Sequence, residues 1–107
     1  MDCTALVGRW IEEDNPVLVS TIVLTISIRG GRFHVCAIDE SDWSRLRVSS
    51  IRWDGDLLQF KTFYSPTGHR TEHNFRVVGK GRARLRIRYS DEDGRFSIDE
   101  NWRKVTR

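Results

Sequence analysis

The sequence predicts an all-β fold, an eight-stranded antiparallel up-and-down meander closed into a barrel. Three observations lead there. Turn-forming residues punctuate the chain at regular spacing, at Asn15-Pro16, Gly30-Gly31, Asp54-Gly55, Ser65-Pro66-Thr67-Gly68, Gly79-Lys80-Gly81 and Asp91-Glu92-Asp93-Gly94. The segments between them are rich in β-branched and aromatic residues with a period near two. No segment sustains an i, i+3, i+4 apolar pattern; at most Ser41 to Arg45 forms a helical turn. The expected strands are 5–13, 18–29, 32–38, 45–53, 57–64, 69–78, 82–89 and 96–105, all in a single domain covering residues 1–107.

Each hairpin has a register in which its apolar faces agree, and a slip of one residue would turn the wrong face inward. Strand 18–29 alternates Ile22, Leu24, Ile26 and Ile28, and a Gly30-Gly31 turn sets Ile28 opposite Phe33, Ile26 opposite Val35 and Leu24 opposite Ala37. Strand 45–53 breaks parity. Leu46 and Val48 share a face with Ile51 and Trp53 only if Ser49-Ser50 form a bulge. The 65–68 turn sets Tyr64 opposite His69, Thr62 opposite Thr71, Phe60 opposite His73 and Leu58 opposite Phe75. A three-residue turn at Gly79–Gly81 sets Val77 opposite Ala83. Strand 82–89 then alternates inward Ala83, Leu85, Ile87 and Tyr89 with outward Arg82, Arg84, Arg86 and Arg88. A four-residue loop, Asp91–Gly94, brings Tyr89 opposite Phe96 and Ile87 opposite Ile98. Short hairpins throughout make a meander, and eight strands with no other cover for their apolar face close on themselves.

Gly8-Arg9-Trp10 on the first of these strands resembles the G-x-W signature of the calycin superfamily, the lipocalins and their relatives. The resemblance implies that Gly8 permits close approach and that Trp10 plugs the narrow end of the barrel. It also implies a basic partner for Trp10 from Asn101-Trp102-Arg103-Lys104. Arg103 is the candidate by position near the last strand, whereas side-chain parity turns Arg103 outward and Lys104 inward, so both stay open. The chain departs from the lipocalin pattern in its short lead before Gly8, in Val78-Gly79-Lys80-Gly81 where a T-D-Y motif would fall, and in ending at Arg107 without a following helix. Avidin-type barrels are closer in size, but the sequence carries no biotin-site pattern.

The 107 residues are 38% hydrophobic, 31% charged and 10% aromatic, which argues against disorder and low-complexity sequence. The longest nearly apolar stretch, Val17 to Ile28, is too short and too interrupted by hydroxyls to cross a bilayer as a helix. Met1-Asp2-Cys3-Thr4 lacks a basic n-region and an apolar h-region, so no export is expected. With only Cys3 and Cys36 there is no disulfide framework, and a reducing, cytoplasmic compartment is the simpler expectation.

The expected interior holds Trp10, Phe33, Trp53, Phe60, Tyr64, Phe75, Tyr89, Phe96 and Trp102. A barrel of eight strands either fills itself or keeps room for one small ligand. Inward polar residues gather near the end with the longer loops: Tyr64, His69, Thr71 and Tyr89, with His73 one step deeper and Trp43 as a lid. Aromatic bodies with a few convergent hydrogen-bonding groups suit a small-molecule site; the plainer alternative is that they satisfy one another in a solid core. His69 and His73 lack a third ligand at a telling spacing, so neither a metal nor any other cofactor is expected. No G-x-S-x-G elbow or reactive Cys-His signature is present. Glu100, opposite Leu85, has no second carboxylate placed for acid–base work. No enzyme is expected.

The net charge of +3 divides into −3 over residues 1–60 and +6 over residues 61–107. On the meander, Glu12-Glu13-Asp14, Asp39-Glu40, Asp42 and Asp91-Glu92-Asp93 rim the open end, while Arg29, Arg32, Arg52, Arg76, Lys80 and Arg82 crowd the other. Asp91-x-Asp93-Gly94 is only a fragment of a calcium loop. The arginines of 82–89 offer a basic stripe, but Arg88 faces Glu72 and Arg86 faces Asp99, and no aromatic platform stands beside them, which disfavours nucleic acid. The expected function is therefore a non-enzymatic barrel that binds a small amphipathic or aromatic molecule at its acidic-rimmed mouth. The alternative is a solid-core interaction module that meets a protein partner or a second copy through the acidic rim or the basic outer face.

Overall fold

The computed structural model describes residues 3–12, 22–41, 43–64, 69–91 and 94–105. A 3-10 turn, Cys3–Leu6, precedes eight strands: β1 Gly8–Glu12, β2 Ile22–Arg29, β3 Arg32–Asp39, β4 Ser44–Trp53, β5 Leu58–Tyr64, β6 His69–Gly79, β7 Arg82–Asp91 and β8 Gly94–Val105. Each strand pairs antiparallel with the next, and β1 pairs with β8, so the sheet is a closed up-and-down barrel. No helix among the described residues is long and apolar enough to cross a membrane.

The register follows the side-chain pattern. Ile28 lies opposite Phe33, Leu24 opposite Ala37, Phe60 opposite His73, Phe75 opposite Leu85 and Tyr89 opposite Phe96. The pairing of β4 with β5 shifts between Ser49 and Arg52, with Ser50 at φ 54°, which is the bulge that parity demands.

Four local expectations change. Residues 5–7 are not strand, because Val7 N–H closes the 3-10 turn onto the Thr4 carbonyl at 3.1 Å and β1 starts only at Gly8. The described residues of 41–45 form no helical turn: the Ser41 N–H and hydroxyl donate to the Asp39 carboxylate, and β4 begins at Ser44. Gly79 pairs with Arg82, so that connection is Lys80-Gly81 alone, and the slack is taken up between Val77 and Gly79. Asp91 likewise pairs with Gly94, which lengthens both strands beyond the expected loop. The start of the second expected strand, 18–21, lies outside the described residues.

The core fills one end of the barrel. Leu6, Trp10, Leu24, Ile26, Ala37, Leu58, Phe75, Val77, Ala83, Leu85 and Trp102 are buried there, with Phe33 and Trp53 partly buried against them. Trp10 meets Phe75 edge-on at 5.0 Å, and Phe33 meets Trp53 at 5.4 Å.

Candidate functional site

The base of the barrel is shut by the residues that the G-x-W motif brings together. Trp10 is fully buried and donates its indole N–H to the Leu6 carbonyl at 2.9 Å. The Lys104 ammonium lies 5.2 Å from the Trp10 ring centroid and donates to the Ala5 carbonyl at 2.8 Å. Gly8, at φ 142°, brings its backbone so close that an added Cβ would stand 3.1 Å from the Lys104 Cδ. The basic partner of Trp10 is therefore Lys104. Arg103 is exposed on the outer face, opposite Arg82 on β7, because strand alternation turns neighbouring side chains to opposite sides.

Above that base the interior opens in register levels along β5–β8. Leu58, Phe75, Leu85 and Glu100 share the first level, and the Glu100 carboxylate accepts the Trp102 indole N–H at 3.1 Å. Phe60, His73, Ile87 and Ile98 share the second; Thr62, Thr71, Tyr89 and Phe96 the third. Leu58, Phe75 and Leu85 are sealed, whereas Ile98 is 45% exposed and Phe96 40% exposed despite their inward parity. Phe60 on the second level and Thr62 on the third are buried as well, and the exposure is on β8. Tyr89 stacks on Phe96 at 5.3 Å, and the N-terminal half of β8, 94–101, runs past the described part of β1.

His73 is the polar centre of this upper half. Its ring stacks on Phe60 at 4.8 Å, and its Nε2 shares a 2.9 Å hydrogen bond with the Thr62 hydroxyl. The other ring nitrogen, Nδ1, is buried without a hydrogen-bond partner. Burial pushes the imidazole pKa down to about 4, so the ring is neutral near pH 7. A neutral ring bonded through one nitrogen leaves the other with a single unmet role, donor or acceptor according to tautomer.

The structure thus brings together Thr71, His73 and Tyr89 of the expected site. Tyr64 and His69 lie opposite each other where β5 meets β6, but their side chains fall outside the described part. Trp43 does not join them: it sits in the turn before β4 at φ 61° and is 72% exposed, with no ring contact to the described site residues. Thr62 belongs to the site and was absent from the expected set. It contacts His73 diagonally, not directly across the ladder, although its inward position opposite Thr71 was readable from the register. Of the expected acidic rim, Glu12, Asp39 and Glu40 lie within the described residues, while Glu13, Asp14, Asp42, Glu92 and Asp93 lie outside them. Among the described residues, no group of three or more His, Cys, Asp or Glu is placed to hold a metal ion.

The chain matches no family model, no curated protein and no solved structure. What the site does must therefore be argued from its own geometry.

The outer face of the same sheet borders a concavity that reaches the rim of this site, since Thr62, Thr71, Tyr89 and Phe96 also line it. This open groove of about 1090 Å³ crosses β4–β8, with Arg47, Lys61, Phe63, Arg70, Arg88 and Arg95 along it. The expected concentration of positive charge at the base is only part of the picture, since these cations stand nearer the mouth. Arg76, one of the cations expected to crowd the base, is paired with Asp56 at 3.1 Å.

Proposed function

We propose that this barrel is a non-enzymatic binding cup that takes one small, uncharged aromatic or amphipathic molecule at its open end. The observation that carries the reading is His73. A buried polar atom without a partner costs about 1–3 kcal/mol, and the buried Nδ1 has none. A ligand that offers it one neutral hydrogen bond recovers that cost. The surroundings suit such a molecule: Tyr89, stacked on Phe96, supplies aromatic surface, Thr71 a hydroxyl, and the half-exposed Phe96 and Ile98 an apolar wall near the mouth. A charged ligand group fits less well, because the imidazole is neutral and the level below is sealed by apolar side chains. The resemblance of Gly8-Arg9-Trp10 to the calycin signature is in keeping with this reading, with Gly8, Trp10 and Lys104 packed together at the base.

The test is a titration with N-phenyl-1-naphthylamine, a neutral diarylamine whose fluorescence rises in apolar surroundings. The expected result is saturable one-to-one enhancement, weakened about three- to tenfold in His73→Phe by the lost hydrogen bond. Absence of enhancement with the wild-type protein, or identical affinity in a folded His73→Phe, contradicts the reading.

A further inference from the structure

We propose that the groove over β4–β8, which runs from the arginines of the outer face to the rim at Tyr89 and Phe96, is a docking surface for single-stranded nucleic acid. Charge balance along the outer face is the starting point. Nearer the base two of its cations are paired: Arg76 meets Asp56 at 3.1 Å, and Arg86 meets Asp99 at 2.9 Å. The groove is different. Arg47, Arg70, Arg88 and Arg95 line it together with Lys61, and Glu72 is the carboxylate that lines it with them. That carboxylate is within 3.9 Å of Lys61, and both side chains are more than half exposed. Arg88 stands opposite Glu72 in register, yet among the described residues neither it nor Arg47, Arg70 or Arg95 has an ion-pair partner. Four arginines with no ion-pair partner among the described residues, on one concave face, suit an anionic partner.

Arginine is the side chain best shaped for phosphate, since its planar fork presents paired donors and it is held less tightly by water than an ammonium. The groove also contains an aromatic. Phe63 faces outward on β5, with Arg47 opposite it on β4 and Arg70 opposite it on β6. The Arg70 guanidinium lies 5.6 Å from the Phe63 ring centroid. An aromatic face flanked by arginines is the arrangement on which unpaired bases stack while cations follow the backbone. This is the platform that the alternating pattern of β7 alone did not show. From β4 to β8 the groove spans four inter-strand steps, about 19 Å, room for several nucleotides. A flexible single strand follows a curved groove, whereas a stiff duplex or a flat membrane touches only its rim. An acidic peptide would match the charge but leave Phe63 unused.

The experiment is fluorescence anisotropy with a fluorescein-labelled oligothymidylate of about a dozen nucleotides, titrated from about 50 to 200 mM salt. Binding is expected with a log–log salt slope of about −3, from four phosphate contacts at roughly 0.7 each. Arg70→Ser/Arg88→Ser should flatten that slope by about 1.4 and weaken binding about tenfold. Phe63→Leu should weaken it about fivefold with the slope unchanged, the signature of lost stacking. Arg29→Ser/Arg32→Ser, at the exposed β2–β3 turn, removes equal charge elsewhere and should change neither. Circular dichroism melting of each variant confirms that it is folded. No binding at low salt overturns the proposal, as does equal preference for the duplex of the same length. Equal weakening by the Arg29/Arg32 control, or binding to phosphatidylserine vesicles but not to the oligonucleotide, overturns it too.

Discussion

Lys104 covers the ring of Trp10 from 5.2 Å and at the same time ties down the Ala5 carbonyl at 2.8 Å. One side chain from the last strand thus fastens both the first strand and the 3-10 turn before it across the base of the barrel. Replacing it by Met keeps the aliphatic stem but leaves the Ala5 carbonyl short of a donor and removes the cation from the ring. The expected loss is about 2 kcal/mol of stability in urea denaturation. Arg103→Ala, on the exposed face, should stay within about 0.5 kcal/mol. Equal effects of the two changes would sink the assignment of Lys104 as the partner of Trp10.

Gly8 makes this closure feasible. Its φ of 142° is a conformation that side-chain-bearing residues rarely adopt, and the Lys104 stem occupies the space a Cβ would need. Gly8→Ala should destabilise by about 1–3 kcal/mol. Combined with Lys104→Ala, which clears that space, it should cost less than the sum of the two single changes. A strictly additive double mutant would show that the close approach carries no energy.

His73 gives the fold a defined dependence on pH. Its pKa is about 4 in the folded chain against 6.5 for the free side chain. Between those values the unfolded chain binds the proton and the folded chain does not. The stability is therefore complete above about pH 6.5 and falls as pH drops toward 4, by up to about 3 kcal/mol. Asp54 and Asp99, whose pKa values are lowered from 3.8 by hydrogen bonds from Leu57 N–H and from Arg86 respectively, lose their contributions only below that window. Urea midpoints measured from pH 7 to pH 4.5 should fall in the wild type, and His73→Gln should flatten that fall. A slope unchanged by the substitution would place the titrating group elsewhere.

The uneven filling of the barrel predicts uneven costs of truncation. Leu85→Ala, in the sealed level, should destabilise by about 2–5 kcal/mol. Ile98→Ala, nearly half exposed on the neighbouring strand, should cost less than about 1 kcal/mol. Comparable losses at both sites, read by thermal unfolding, would mean that the upper half is packed as tightly as the base.

The register was legible in the sequence because short turns leave each hairpin few choices and a slip would bury arginines. Even the bulge at Ser49-Ser50 follows from the parity of Leu46, Val48, Ile51 and Trp53. Alternation was less informative about how deep an inward residue lies. Phe96 and Ile98 have inward parity yet are 40% and 45% exposed, because a period of two sets the side a residue faces and not what packs over it. Contacts made diagonally escaped as well. The bond of Thr62 to His73 crosses one register level, and long or flexible side chains choose such neighbours by packing. The outer face follows the same rule. Register sets Arg88 opposite Glu72, but the ion pair that Glu72 makes is with Lys61. The 3-10 turn over the base has no periodicity; its own Val7–Thr4 hydrogen bond and those it accepts from Trp10 and Lys104 define it.

The binding cup is tested most directly by mapping amide chemical shifts in nitrogen-15 spectra during titration with N-phenyl-1-naphthylamine. The account predicts saturable shifts concentrated at Thr62, Thr71, His73, Ile87 and Tyr89, and little change at Leu58 or Val77 near the base. Shifts confined to outward-facing residues such as Phe63 and Arg70, or none at all, would contradict it.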